Sequence, residues 1–309
     1  MSASLWGRFT TRATTGLRPS ASRFPGISTS VGTPPAARPR MFSATGIAGL
    51  ALLSFLAALA VLGPILVPWT AADRDFEAFL QPPTANHPFG TTASGGDLLV
   101  LTLLGLRKSL LIGFVVAVAA TTVAALVGAF AGYFLGWVDR TLMWVTDLLL
   151  VIPAFLVVAV VSSGHDDWIA LVVLLTAFMW MVTAKAVRGA TIVMRDRDYV
   201  KAARFMGVPS HRIVLRHVVP NLASLLVADA TVNVGAAILA ETSLSYFGFG
   251  VTPPDVSLGS LIADGAPTAL YAPWTFWWAA GLLIALIVAV NLVGDDLRDR
   301  FDPALRACA

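Results

Sequence analysis

The chain has 309 residues, of which 57% are hydrophobic and only 13% charged, with a formal net charge of +3 and a mean hydropathy of +0.78. A water-soluble fold of this length would need far more charge to cover its surface and is excluded; the apolar residues fall instead in blocks near the ~20 residues that a bilayer-crossing helix requires. One cysteine, Cys308, and four scattered histidines, His87, His165, His211 and His217, give no internal disulfide, no cysteine-rich metal site and no HExxH-like pair.

Residues 1–43 form a basic arm rich in Ser, Thr, Pro and Arg, a mixture that cannot bury a core and reads as disordered. Its arginines, Arg8, Arg12, Arg18, Arg23, Arg38 and Arg40, would hold it near anionic lipid. The same composition mimics an organellar transit peptide, and initiation at Met41 would remove the arm altogether. A cleaved secretory signal does not fit, because the first apolar block is too long and starts too late. That block gives span one, Thr45–Val67, within a segment 44–84 that ends in an outer loop; a core of 85–295 and a tail of 296–309 follow.

Span two, Ser109–Tyr133, leads into the series Gly128, Gly132 and Gly136, in which glycine at every fourth position makes a smooth stripe for close helix approach, to another span or to a partner. Span three, Arg140–Val161, carries Asp147 and contains Pro153, a tolerable kink where neighbours satisfy the freed carbonyl. Span four is Trp168–Val187. Span five, Asn221–Tyr246, is the most polar, with Asp229, Asn233 and Glu241. The outer stretch from Gly248 to Trp274 has four prolines and no basic residue; it is too apolar for a free loop and is expected to fold back on the outer mouth. Span six is Thr275–Val293.

An ionised carboxylate at the centre of a span costs about 2.5–3.5 kcal/mol, so Asp147, Asp229 and Glu241 are expected to face a cavity or a partner group. Asp229 and Asn233 share a helix face, which marks one side of span five as a pathway that would attract a peptide's ammonium group. The alternative is structural: these carboxylates bond backbone or partner groups where spans bend.

Basic residues fix the orientation. The stretch between spans four and five carries Lys185, Arg188, Arg195, Arg197, Lys201, Arg204, Arg212 and Arg216. With that stretch, the arm, Arg140 and the tail residues Arg298, Arg300 and Arg306 all cytoplasmic, only Arg74, Arg107 and Lys108 remain outside, the last two at the foot of span two. Both termini are then cytoplasmic.

The loop 188–220 is the most informative stretch. Asp198 is placed to cap a short helix, Gly207 to end it with positive φ, and Pro209 to prevent its resumption. Ser210 then starts a second short helix that Pro220 closes. Val200, Ala203, Phe205 and Met206 give the first helix an apolar surface among basic residues, suited to a groove on another protein; the bland alternative is a basic loop touching lipid headgroups.

The order Lys201-Ala202-Ala203, Gly207 and then Ile213 to Pro220 resembles the Glu-Ala-Ala coupling segment of ABC importer permeases. Further matches are His87-Pro88-Phe89-Gly90-Thr91, Ala131-Gly132-Tyr133 with Gly136-Trp137-Val138-Asp139, Ala237-Ile238-Leu239-Ala240-Glu241, and Phe247-Gly248-Phe249-Gly250-Val251 with Pro253-Pro254. Ala272-Pro273-Trp274 and Asn291-Leu292-Val293-Gly294-Asp295 with Leu297-Arg298-Asp299 complete the set. The resemblance runs from about residue 85 to 306 and is to the C-type permease subunit of dipeptide, oligopeptide and nickel importers. It implies an all-α integral membrane protein of the type I ABC importer permease fold, six transmembrane helices with coupling helices between spans four and five. It also implies a plasma-membrane location and four kinds of neighbour: a homologous second permease, two cytoplasmic ATPase subunits that bind ATP and Mg, an extracytoplasmic substrate-binding protein, and lipid. Tyr199, Val200, Lys201, Ala202, Ala203, Arg204, Phe205, Met206 and Gly207 would insert into an ATPase cleft, so that ATPase closure switches the pathway between inward- and outward-facing. Two departures stand out. Lys201 occupies the family's glutamate position, and after Gly90-Thr91 come Thr92 and later Gly95-Gly96-Asp97 in place of the usual acid and Gly-Arg-Asp.

No GxxxxGK[ST] phosphate loop and no nucleophile–base constellation occurs, so the chain reads as a non-catalytic channel subunit with no cofactor of its own and no nucleic-acid partner. The rival readings are a proton-coupled transporter using Asp147, Asp229 or Glu241 as carriers, a membrane enzyme, for which the spans offer no catalytic pair, and a structural membrane protein, which leaves the elbow of loop 188–220 without a purpose.

Overall fold

Long apolar runs capped by short side chains build the fold. The computed structural model describes residues 43–162 and 167–301; residues 1–42, with the basic arm and Met41, and residues 302–309, with Cys308 and most of the expected tail, lie outside the described residues, as does His165. Among the described residues ten α-helices follow in order: α1 Ala44–Leu66, α2 Leu98–Phe134, α3 Gly136–Val151, α4 Ala154–Ser162, α5 Trp168–Arg195, α6 Asp198–Phe205, α7 Ser210–Ile213, α8 Ala223–Tyr246, α9 Leu258–Gly265 and α10 Trp274–Phe301. Among the described residues the fold is all-helical apart from one isolated bridge between Thr91 and Asp97. Five helical stretches are long and apolar enough to cross a membrane, and a sixth crossing is made if the bent pair α3–α4 is one span.

The helices of spans four and six, α5 and α10, each run eight residues past the expected Val187 and Val293, and three further spans differ from their sequence boundaries. α2 starts eleven residues before the expected Ser109, capped by Asp97, whose Oδ1 accepts the Val100 N–H at 3.0 Å. At 1.5 Å per residue it is about 55 Å long, well over the ~30 Å hydrocarbon core. Arg107 and Lys108 therefore lie inside a continuous helix rather than at its foot. Lys108 Nζ reaches Asp255 Oδ1 at 2.9 Å and sits 4.7 Å from the Trp168 ring centre. Span three is two helices bent by 74° at Ile152–Pro153, because Pro153 has no N–H to continue the ladder. Span five is entered without a break: from Ser210 the chain runs through a π-turn (Val214–Val218) and a 3₁₀ turn (Val219–Leu222) into α8. Pro220 thus does not close the second short helix. It sits in the first turn of the 3₁₀ segment, where its missing N–H needs no partner, and the Asn221 side chain donates to the His217 carbonyl at 2.6 Å.

Three apolar clusters hold the bundle. The first joins Leu56 and Ala60 of α1, Leu106 of α2, Leu258 and Leu261 of α9, and Leu286 of α10. A central one joins α2, α4, α5 and α8 through Val116, Val158, Leu171 and Leu244. The third lies where the connection between α5 and α8 meets α2 and joins Tyr133, Val187, Val200, Ala203, Ile213, Val214 and Val218. α2 and α5 come together closely because Gly128 and Gly132 have no side chains: a Cβ at Gly128 would strike the Ala184 carbonyl and Val187, and one at Gly132 the Arg188 carbonyl and Thr191. Gly136 is not part of this stripe. A Cβ there would meet nothing within 4 Å, and its φ of +62° with that of Leu135 at +52° marks it as the turn between α2 and α3. The outer stretch folds back as expected, through α9, which a Ser257–Ser260 capping box starts and which packs on α2, α8 and α10.

Candidate functional site

The elbow between α5 and α8 begins where α5 ends at Arg195. α6 starts at Asp198 itself, with Arg197 at the cap and no side-chain capping bond, so Asp198 supplies first-turn negative charge rather than the cap expected of it. Its end is as read: Gly207 adopts φ +76°, its N–H reaches the Arg204 carbonyl at 3.0 Å, and the Val208 N–H reaches the Ala203 carbonyl at 3.1 Å. This pairing of the last carbonyls is a Schellman closure, which glycine permits because it lacks a Cβ.

The residues expected to form one apolar surface divide between two faces. Val200 and Ala203 are buried against Tyr133, Val187, Ile213 and Val214, and so anchor the elbow to α2 and α5. Phe205 and Met206 point the other way, 90% and 76% exposed, with Tyr199, Lys201, Ala202, Arg204 and Gly207 also exposed. The elbow is therefore fastened on one side and presents an apolar knob on the other. Arg204 lies 5.3 Å from the centre of the Tyr133 ring, a second tie to α2.

Just above the elbow, α3 is pinned to α5 by two ion pairs. Arg188 grips Asp139 with Nε–Oδ1 at 2.5 Å and Nη2–Oδ2 at 2.6 Å, and Lys185 Nζ meets Asp147 Oδ1 at 2.5 Å. Asp147 thus has a cation partner from its own chain. The partners lie 49 and 38 residues apart in sequence, and that spacing carries no sign of the pairing.

Of the other intramembrane carboxylates, Asp229 is half-buried: its Oδ2 accepts from Thr183 Oγ1 at 2.7 Å and from Asn233 Nδ2 at 2.7 Å. The expected Asp229–Asn233 face exists, and Thr183 of α5 is the member that sequence reasoning missed. Glu241 stands apart from it, fully buried. It accepts from Ser245 Oγ at 2.6 Å and from Ser109 Oγ at 3.4 Å, while those hydroxyls accept the N–H groups of Val251 and Leu258 at 3.2 and 3.1 Å. α2, α8, the outer loop and α9 are knitted by this set.

In the connection between α1 and α2, His87 is buried and sits between two carboxylates, Nδ1 at 2.7 Å from Asp97 and Nε2 at 3.4 Å from Asp75, with the Trp69 ring centre 4.8 Å away. The motif around His87 is visible in sequence, and Asp97 stands in the Gly95-Gly96-Asp97 stretch, but nothing local pairs either Asp97 or the loop residue Asp75 with the ring.

Residues 124–307 match the family described as binding-protein-dependent transport system inner membrane component. The oligopeptide transport system permease protein OppC of Mycobacterium tuberculosis (strain ATCC 25618 / H37Rv) is 53% identical over 264 residues, covering 84% of this chain and 91% of that protein. The proteins of the same name from Haemophilus influenzae and Bacillus subtilis (strain 168) are 35% and 31% identical, over 83% and 84% of this chain and 84% and 85% of theirs.

Proposed function

The chain belongs to the family of binding-protein-dependent transport system inner membrane components, and from that premise we infer that its exposed elbow is the handle by which separate ATPase subunits move the spans. It is a multi-pass membrane protein and a permease subunit of an ABC importer for peptides. Two cytoplasmic ATPases, a homologous second permease and an extracytoplasmic binding protein complete the assembly; ATP and Mg are held by the ATPases. Both termini and residues 199–207 face the cytosol.

One observation carries the reading: Phe205 and Met206 are almost fully exposed at the tip of an elbow whose opposite face is locked into the bundle. Leaving two large apolar side chains in water without a partner is unfavourable by about 1.5–3 kcal/mol each, and a groove on another protein removes that cost. Because Val200 and Ala203 join the elbow to α2 and α5, a push on Phe205 is delivered to both helices. Asp229 and Asn233 line the substrate path and favour cationic groups, with Thr183 holding the carboxylate in place. Asp147 and Glu241 serve as structural ties to Lys185 and to the Ser109–Ser245 set. Those partners also weigh against the proton-carrier reading, since a carrier must exchange its proton with water and Glu241 has no exposed surface.

The test is the double substitution Phe205→Asp and Met206→Asp in the assembled transporter. ATP hydrolysis should no longer co-purify with the permease, while the permease stays in the membrane with its second permease. Undiminished ATPase retention would overturn the assignment.

A further inference from the structure

The cations of the elbow are without acids. Lys108, Lys185, Arg188 and Arg300 each reach a carboxylate of their own chain, whereas Lys201, Arg204, Arg212 and Arg216 form no ion pair among the described residues and are all exposed. The acids of this stretch, Asp196 at the end of α5 and Asp198 at the start of α6, pair with none of them among the described residues. Two of the cations, Arg212 and Arg216, stand one turn apart and line an open cavity of about 510 Å³ with His217, Met206, Gly207, Val208 and Pro209. No carboxylate lines it.

Position relative to the apolar knob gives this charge a meaning. Lys201 and Phe205 are four residues apart on one turn of α6, so they occupy the same outward face, and Met206 borders the cavity. A groove that closes over Phe205 strips water from the Lys201 side chain beside it. An ammonium group desolvated without a counter-charge is strongly unfavourable, so the groove must bring a carboxylate. A flat lipid surface has no such requirement, since it would bury the apolar knob and leave the cation among headgroups.

We propose that Lys201 and the Arg212–Arg216–His217 cavity form a socket for acidic side chains of the ATPase, placed around the cleft that receives Phe205. The proposal rests on the elbow being the ATPase handle and adds the chemistry of the partner surface: aspartates or glutamates flanking an apolar cleft. Electrostatic steering by such a surface sets which ATPase pairs with this chain, because a cleft edged with lysine or arginine would repel it.

The experiment uses a carbodiimide, which joins an amine to a carboxylate only when the two touch. In the purified ATPase–permease assembly it should give a cross-linked peptide joining Lys201 to an Asp or Glu of the ATPase. Lys201→Arg should keep the assembly and lose the cross-link. Lys201→Glu, and separately the pair Arg212→Glu with Arg216→Glu, should lower co-purified ATP hydrolysis about tenfold, with the second permease retained as the check on folding. Wild-type retention should fall as NaCl is raised, and that slope should flatten in the Lys201→Gln variant.

If the cross-link is absent and the glutamate variants retain their ATPase while Phe205→Asp with Met206→Asp releases it, the socket is wrong and the handle stands. Should all variants retain the ATPase, the handle itself fails. If the glutamate variants lose ATPase only in membranes containing anionic phospholipid, and no cross-link forms, the cavity is a headgroup site and the proposal is overturned.

Discussion

The Glu241 carboxylate touches the hydroxyls of two serines that between them hold the N–H groups of Val251 and Leu258. Replacing it with leucine leaves both the Ser109 and Ser245 donors unpaired in a dry site, at a cost of about 1–3 kcal/mol, whereas Glu241→Gln keeps an acceptor for the closer serine, Ser245, and loses only the long bond from Ser109, so it should lose less than half of that. Thermal unfolding of the detergent-solubilised protein should order the melting temperatures as wild type, Glu241→Gln, Glu241→Leu; equal values for the two variants would remove the carboxylate from the structural role given to it. The glycines separate in the same residue-by-residue way. Gly128→Val places atoms where the Ala184 carbonyl and Val187 already stand, so α2 and α5 must part and membrane-inserted protein should fall severalfold in quantitative blotting. Gly136→Ala meets only open space, and its cost is the roughly 1 kcal/mol of a positive φ. The three glycines look alike in sequence because their spacing is the same; they differ because α2 ends at Phe134, two residues before the last of them.

At the scale of elements, the elbow was the most legible part of the chain. Gly207 had to end α6, since only glycine enters the left-handed region freely, and the basic run around it is the signature of a segment kept out of the bilayer. Gly207→Ala has room for its methyl group, so the expected loss of about 1 kcal/mol comes from backbone conformation alone and should appear as faster proteolysis at the elbow with little change in the melting temperature of the spans. What sequence did not disclose was which side of α6 faces the bundle. Val200, Ala203, Phe205 and Met206 are all apolar, and only the contact with Tyr133, Val187 and Val214 assigns the first two inward. Pro220 misled for a related reason. Proline stops an α-helix by its missing N–H, but a π-turn followed by a 3₁₀ turn changes the partners of the preceding carbonyls and lets the chain continue into α8. Arg107 and Lys108 resemble a membrane boundary and so suggest a shorter α2, but Asp255, in the connection before α9, supplies the counter-charge that lets Lys108 sit within the helix.

For the whole molecule, topology is the property on which transport depends. With Cys308 replaced by serine, a single cysteine at Phe205 should be protected from a membrane-impermeant maleimide in intact cells, and one at Leu270, which is 98% exposed, should be labelled; inverted vesicles should reverse the two. Labelling of both positions from one side would break the orientation inferred from basic residues. Amphiphilic composition, span number and the existence of a basic elbow were written in the sequence, because they depend on the local balance of apolar and charged residues and on single-residue backbone preferences. The pairing of α3 with α5 by Arg188 and Lys185, the closed set around Glu241, the meeting of His87 with Asp75 and Asp97, and the division of the elbow into an anchored and an exposed face were decided only by the tertiary structure. Each of these turns on which helix lies beside which, a property of packing between distant segments that no local pattern of residues contains.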